Sequence, residues 1–283
     1  MRIMGDADIL IKIEQYPKIE KIMADLGFTF DSKGDHDYTW LSPKLHVEVH
    51  YLLMYEYNEE YENYFGNGWK LANHQEGHRF YMSPEDEFIY LFVHFTKHYR
   101  FGGIGCRHVV DLWVYLREHP DMIFDCIKEV IQKLSASGFY DNTMKLIDVW
   151  FNDKHLDQIT ELMTNFIFDS GSWGTIENTS MATGVKAREE TGNVSSGKAK
   201  VFTEAAFPPL DIIKYDYPVL EKHPVLLPLI WVWRWFDACL FRREKVKART
   251  KRVKAALEGD ISEYEKNLAA VGLNFTFTEE NKE

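Results

Sequence analysis

Apolar and polar positions along the chain alternate in two periods. Near the start, Gly5 precedes Asp6 and Asp8, and the apolar residues Ile9, Leu10, Ile11 and Ile13 follow. That pattern predicts a turn feeding a buried strand. Residues 45–52 alternate cleanly, with Leu45, Val47, Val49 and Tyr51 on one side and His46, Glu48, His50 and Leu52 on the other. This predicts a strand with one apolar and one polar face. Between these segments, Ile19, Ile22, Met23 and Leu26 recur at helical spacing and Gly27 follows as a C-cap, predicting a helix over 16–26. Short strands are expected at 28–30 and 36–41, separated by the turn-rich Ser32-Lys33-Gly34-Asp35.

Beyond residue 55 the pattern becomes helical. The acidic and aromatic stretch 56–68 closes on an Asn67-Gly68 turn, and 69–81 reads as loop. Ser83-Pro84-Glu85-Asp86 then marks a helix start. That helix is expected to run to Tyr99 on a stripe of Phe88, Leu91, Phe92 and Phe95, and the glycine-rich 100–105 reads as a flexible joint. Further helices are expected at 122–134, 143–151 and 156–168, whereas 171–200, poor in apolar residues, reads as a long loop or partly ordered insertion. Prolines segment 208–228. The apolar stretch 226–241 that follows is too short and too charged to span a bilayer. Trp231, Trp235 and Phe236 are expected to pack against the helical body, with the basic segment 242–254 in solvent. Contact with an anionic membrane surface is the less favoured reading of this region.

The fold class that emerges is α+β, a small mixed β-sheet followed by a mostly helical region. The expected divisions are a core at 1–82, a helical domain at 83–168, a loop-rich insertion at 169–205 and a C-terminal helical segment at 206–283.

Composition narrows the function. The 283 residues are 45% hydrophobic and 15% aromatic, enough for a substantial core. A net charge of −11 argues against general nucleic-acid binding, which needs a basic field. The three cysteines Cys106, Cys126 and Cys239 form no Cys-x-x-Cys pair and read as free thiols of a reducing compartment. With an acidic residue already at position 6, no signal peptide is read and a cytoplasmic location is expected.

Candidate chemistry centres on the acids. Asp6 and Asp8 are two apart in a strand and share a face, where their charges repel unless a cation lies between them. Oxygen ligands of this kind suit Mg²⁺ or Mn²⁺. Glu48, an acid in mid-strand, would complete a three-carboxylate cluster if its strand lies beside the first. A different reading takes His46, Glu48 and His50 as Zn²⁺ or Fe²⁺ ligands of a metal hydrolase, with His94 and His98 as further donors.

The order of these motifs resembles the nucleotidyltransferases of the DNA polymerase β superfamily, and most closely a bacterial branch known as uncharacterised nucleotidyltransferases. The matching stretches are Arg2 in MRIMGDADILI, the acid-x-His strand Glu48-Val49-His50, the segment HFTKHYRFGGIGCRHVVDL, and the aromatic helix in YPVLEKHPVLLPLIWVWRW. The resemblance implies metal-dependent transfer of a nucleoside monophosphate from an NTP, ATP by preference, to an acceptor. Asp6, Asp8 and Glu48 would be both catalytic residues and ligands for Mg²⁺ or Mn²⁺, and Gly5, Arg2, Lys97, His98 and Arg107 would contact the nucleotide. The superfamily also places a phosphate-binding turn upstream of its paired acids. Only five residues precede Asp6, so an N-terminally incomplete core is expected, and with it a rival reading as a catalytically impaired nucleotide-binding or regulatory module.

Overall fold

The computed structural model describes residues 6–34, 36–53, 59–77, 79–172, 174–191, 203, 206–208, 210–214, 217–240 and 261–273. The chain divides into two compact units, 1–83 with 210–224, and 84–209 with 225–283.

The first unit is built on a four-stranded sheet. Its strands are β1 (Asp6–Leu10), β2 (Thr29–Lys33), β3 (Asp37–Leu41) and β4 (His46–His50), in the order β1-β4-β3-β2. β2, β3 and β4 form an antiparallel meander, and β1 adds to β4 in parallel. The helix α1 (Tyr16–Asp25) connects β1 to β2. Alternation in β4 decides which face is covered. Val47 and Val49 are buried with Trp40, Ile11 and Met23, and Tyr16, Ile19, Phe28, Tyr38 and Leu45 pack around them. A slip of one residue would exchange the faces, so burial of this set fixes the register.

β1 stands at the end of the sheet with Ile9 exposed, which corrects the expectation of a buried first strand. Of its apolar run, Ile11, just past the strand, enters the core, whereas Ile9 and Ile13 are exposed. After α2 (Glu59–Phe65), the stretch expected as loop forms a hairpin of β5 (Asn73–Glu76) and β6 (Arg79–Tyr81). Two four-residue helices, Leu210–Ile213 and Val219–Lys222, belong to the same unit.

The second unit is helical: α3 (Pro84–Arg100), α4 (Arg107–Glu118), α5 (Phe124–Lys133), α6 (Ser137–Phe151), α7 (Gln158–Asp169), α8 (Ile176–Thr191), α9 (Leu227–Leu240) and α10 (Ile261–Ala270). The first of these packs against α4 and α5 and is buried along most of its length. Its Phe92, Phe95 and Tyr99 rings meet Phe139 of α6 at 6.0, 5.4 and 4.9 Å. Asp157 caps α7 by accepting a 2.7 Å hydrogen bond from the Thr160 N–H, and the Trp150 indole donates to Thr164 Oγ1 at 3.0 Å, tying α6 to α7.

Three expectations change here. Residues 176–191, read as part of a long loop, form α8. The Thr175 hydroxyl accepts from the Asn178 N–H at its start, Ala182, Val185 and Ala187 are buried, and Arg188 pairs with Glu265 of α10. Its apolar face is made of small residues, which is why no strong stripe was visible. The glycines after α3 form a tight crossing rather than a flexible joint. Gly102 (φ 135°) and Gly103 (φ 90°) use backbone conformations that other residues rarely adopt, and the Thr175 N–H donates to the Gly102 carbonyl at 3.0 Å. Finally, Trp235 and Phe236 of α9 are exposed and Trp231 is half-buried, against the expectation that all three would be core. The Phe207 ring meets the Trp231 ring edge-on at 5.4 Å and lies tilted against Trp235 at 5.5 Å. The basic segment 242–254 lies outside the described residues.

Candidate functional site

The polar face of the small sheet collects the chemistry. In the parallel pairing of β1 and β4, Asp8 is the partner of Glu48 and Asp6 of His46. On the other side of β4, Thr39 faces Glu48 and Asp37 faces His50. Directly opposed residues on neighbouring strands lie about 4.8 Å apart, whereas one step of two residues along a strand covers about 6.6 Å. Asp8 and Glu48 are therefore held side by side by backbone pairing alone.

His50 completes the group. It lies two residues beyond Glu48 on the same face, and its longer side chain turns back toward the carboxylates. Its Nε2 is 3.3 Å from Glu48 Oε2 and 3.9 Å from Asp8 Oδ1. One ligand atom each from Asp8, Glu48 and His50 lie within 4.8 Å of one another. Asp6 shares the face one pleat away and is outside that converging set.

Burial lowers the pKa of His50, but the facing carboxylates of Asp8 and Glu48, with Asp37 adding, raise it further, to about 9. In the absence of a cation, the imidazolium itself offsets part of the paired negative charge. Ligation through the buried Nε2 would first require that nitrogen to give up its proton, which the charge of a cation held by the two carboxylates favours. The Asp8 side chain is more than half exposed, which leaves an open side for substrate. Two carboxylates and one imidazole fit a divalent cation, and the nitrogen donor favours Mn²⁺ over Mg²⁺ and also admits Zn²⁺ or Fe²⁺.

Of the remaining candidates, three fall among the described residues. Arg2 and Gly5 are outside the described residues. Lys97 and His98 stand in the last turn of α3 and Arg107 begins α4, all three in the second unit. Burial, followed by the Lys97 charge, pushes His98 below its usual pKa, and partial exposure screens part of that push. His94 and His98 form a 3.1 Å Nε2···Nε2 hydrogen bond. Among the described residues, these histidines belong to no group of three or more side chains placed to hold a metal ion. The sequence named Asp8 and Glu48 as site residues but gave His50 a place only in the acid-x-His motif and the hydrolase alternative. The signal was the period-2 pattern that puts positions 48 and 50 on one face.

No curated protein and no solved structure matches the chain. Residues 1–152 match the family model described as uncharacterised nucleotidyltransferase. That span includes the paired acids, the strand carrying Glu48 and His50, and the α3–α4 segment. It covers more than half of the 283 residues, and the chain belongs to the uncharacterised nucleotidyltransferase family.

Proposed function

We propose that the chain is a metal-dependent nucleotidyltransferase, moving a nucleoside monophosphate from an NTP, ATP by resemblance, to an acceptor oxygen. The convergence of Asp8, Glu48 and His50 on an open sheet face, in a chain of this family, carries the reading. Asp8 and Glu48 would hold the cation with the His50 nitrogen as a third donor, and Asp6 would add a ligand on the side of the β1 start. A bound Mg²⁺ or Mn²⁺ supplies positive charge at the phosphates and lowers the pKa of the acceptor hydroxyl. Glu48 takes the acceptor proton as the oxygen bonds to the α-phosphorus. The bond from that phosphorus to the bridging oxygen breaks, and pyrophosphate leaves with the electron pair. Nucleotide contacts are assigned to Arg2, Gly5, Lys97, His98 and Arg107 by the resemblance alone.

Pyrophosphate release from ATP with Mg²⁺ or Mn²⁺, in the presence of an acceptor library, tests the proposal. Release that disappears in Glu48→Gln supports it. NTP binding with no release under any acceptor favours the impaired regulatory module. The His50 nitrogen also favours a second reading, a His/carboxylate metal hydrolase. Tight Zn²⁺ binding that depends on His46 and His50, with no NTP binding, would select it.

A further inference from the structure

Helix α9 carries an exposed apolar stripe. Leu229, Val232, Trp233 and Phe236 fall at i, i+3, i+4 and i+7 and so share one helix face, and their exposures are 65%, 57%, 60% and 61%. Just before the helix, Val225 is also exposed. The other side of the helix is seated. The Trp231 indole N–H donates to the Pro208 carbonyl at 2.9 Å and that of Trp235 to the Ala206 carbonyl at 3.1 Å, while the Phe207 ring lies 5.4 and 5.5 Å from the two indoles. The stripe is therefore held in an orientation away from its own support. A contiguous face of large aliphatic and aromatic side chains is rare on a protein that keeps to water, and it marks an interaction surface.

We infer that this stripe lies on an anionic lipid bilayer, as an interfacial helix parallel to the membrane. Length excludes crossing: fourteen residues of helix cover about 21 Å against a hydrocarbon core of about 30 Å, and no described helix is long and apolar enough to span. Charge selects the occupant. Directly after α9 in sequence comes RREKVKARTKRVK, residues 242–254, with eight basic residues and one acid in a chain whose net charge is −11. A tryptophan-bearing apolar stripe followed by a polybasic tract is the pairing that binds anionic headgroups, with hydrophobic insertion and electrostatic attraction adding. A second copy of the chain is disfavoured by the same charges. Each copy would bring its own tract of eight basic residues, and like charges repel.

Co-sedimentation of the full chain with vesicles of phosphatidylcholine alone, or mixed with phosphatidylglycerol, decides the matter. The expected result is binding to the mixed vesicles only, weakened by salt. Trp233→Ser or Phe236→Ser should reduce it about tenfold, as loss of one buried aromatic contact does. Joint replacement of Lys245, Lys247 and Arg249 by Gln should reduce it about a hundredfold. Both serine positions are exposed, so circular dichroism of the variants should match the parent. No binding to anionic vesicles, or binding unchanged by the serine variants, overturns the inference. So does a dimer in sedimentation equilibrium that dissociates in Trp233→Ser without any vesicle binding. Pyrophosphate release in solution reads the proposed activity separately from this surface.

Discussion

Asp8 and Glu48 are direct partners in the parallel pairing of β1 with β4, and no loop stands between them. The separation of the two carboxylates is thus a property of the sheet. Asp8→Asn leaves the backbone pairing unchanged and replaces a hard anionic ligand by a neutral amide. Calorimetry should then show Mn²⁺- or Mg²⁺-dependent NTP binding weakened by more than the roughly 10–100-fold typical of losing an outer-shell partner. Retained affinity would remove Asp8 from the metal set.

His50 offers a nitrogen where its neighbours offer oxygen. His50→Ala should weaken Mn²⁺ binding about tenfold or more and Mg²⁺ binding less, because imidazole contributes more to the softer ion. Equal losses for the two ions in parallel titrations would mean that His50 acts on the carboxylates and does not ligate.

Asp157 caps α7, and the Thr160 backbone N–H, then the Thr160 hydroxyl, hold its pKa below the usual carboxylate value of 3.8. A depressed carboxylate stabilises the fold above its unfolded pKa, and that contribution is lost as pH falls through the lower folded value. Asp157→Ala should cost about 1 kcal/mol in urea unfolding at neutral pH. The difference from the parent should shrink below about pH 4. A gap that stays constant down to pH 2 would show that the cap does not work through its charge.

Aromatic residues of the second unit should separate sharply. Phe92 is fully buried among Phe139 and Tyr140, and Phe92→Ala should destabilise by about 3–5 kcal/mol. Phe236 is exposed, and Phe236→Ala should stay within about 0.5 kcal/mol. A large loss at Phe236 in chemical denaturation would mean that the α9 stripe is covered within the chain.

How legible the molecule was depended on how local each cause is. Alternation in 45–52 and the Ser83-Pro84 start are written into neighbouring residues, so β4 and α3 appear where the pattern puts them. The α+β class follows from the same signals. Helix α8 was hidden because its buried side includes Ala182 and Ala187, and its partner Glu265 lies far along the chain. The exposure of Trp235 and Phe236 was hidden for the opposite reason: composition marks a residue as apolar but does not provide the second surface needed to bury it. Within the site, identity and face were legible for Asp8 and Glu48. The inward turn of His50 depends on a rotamer set by its surroundings.

The parallel addition of β1 has a kinetic meaning. β2, β3 and β4 are joined by short turns and can zip together from neighbouring segments, whereas β1 must close the loop that contains α1 and the whole meander before it gains a single ladder bond. Asp8 should therefore meet Glu48 late in assembly, and that edge should open early. Amide protons of β1 should exchange earlier than those of β3 and β4, and a cation bridging Asp8 to Glu48 should slow β1 exchange in particular. In this chain the donor set would act as a latch on its own final strand.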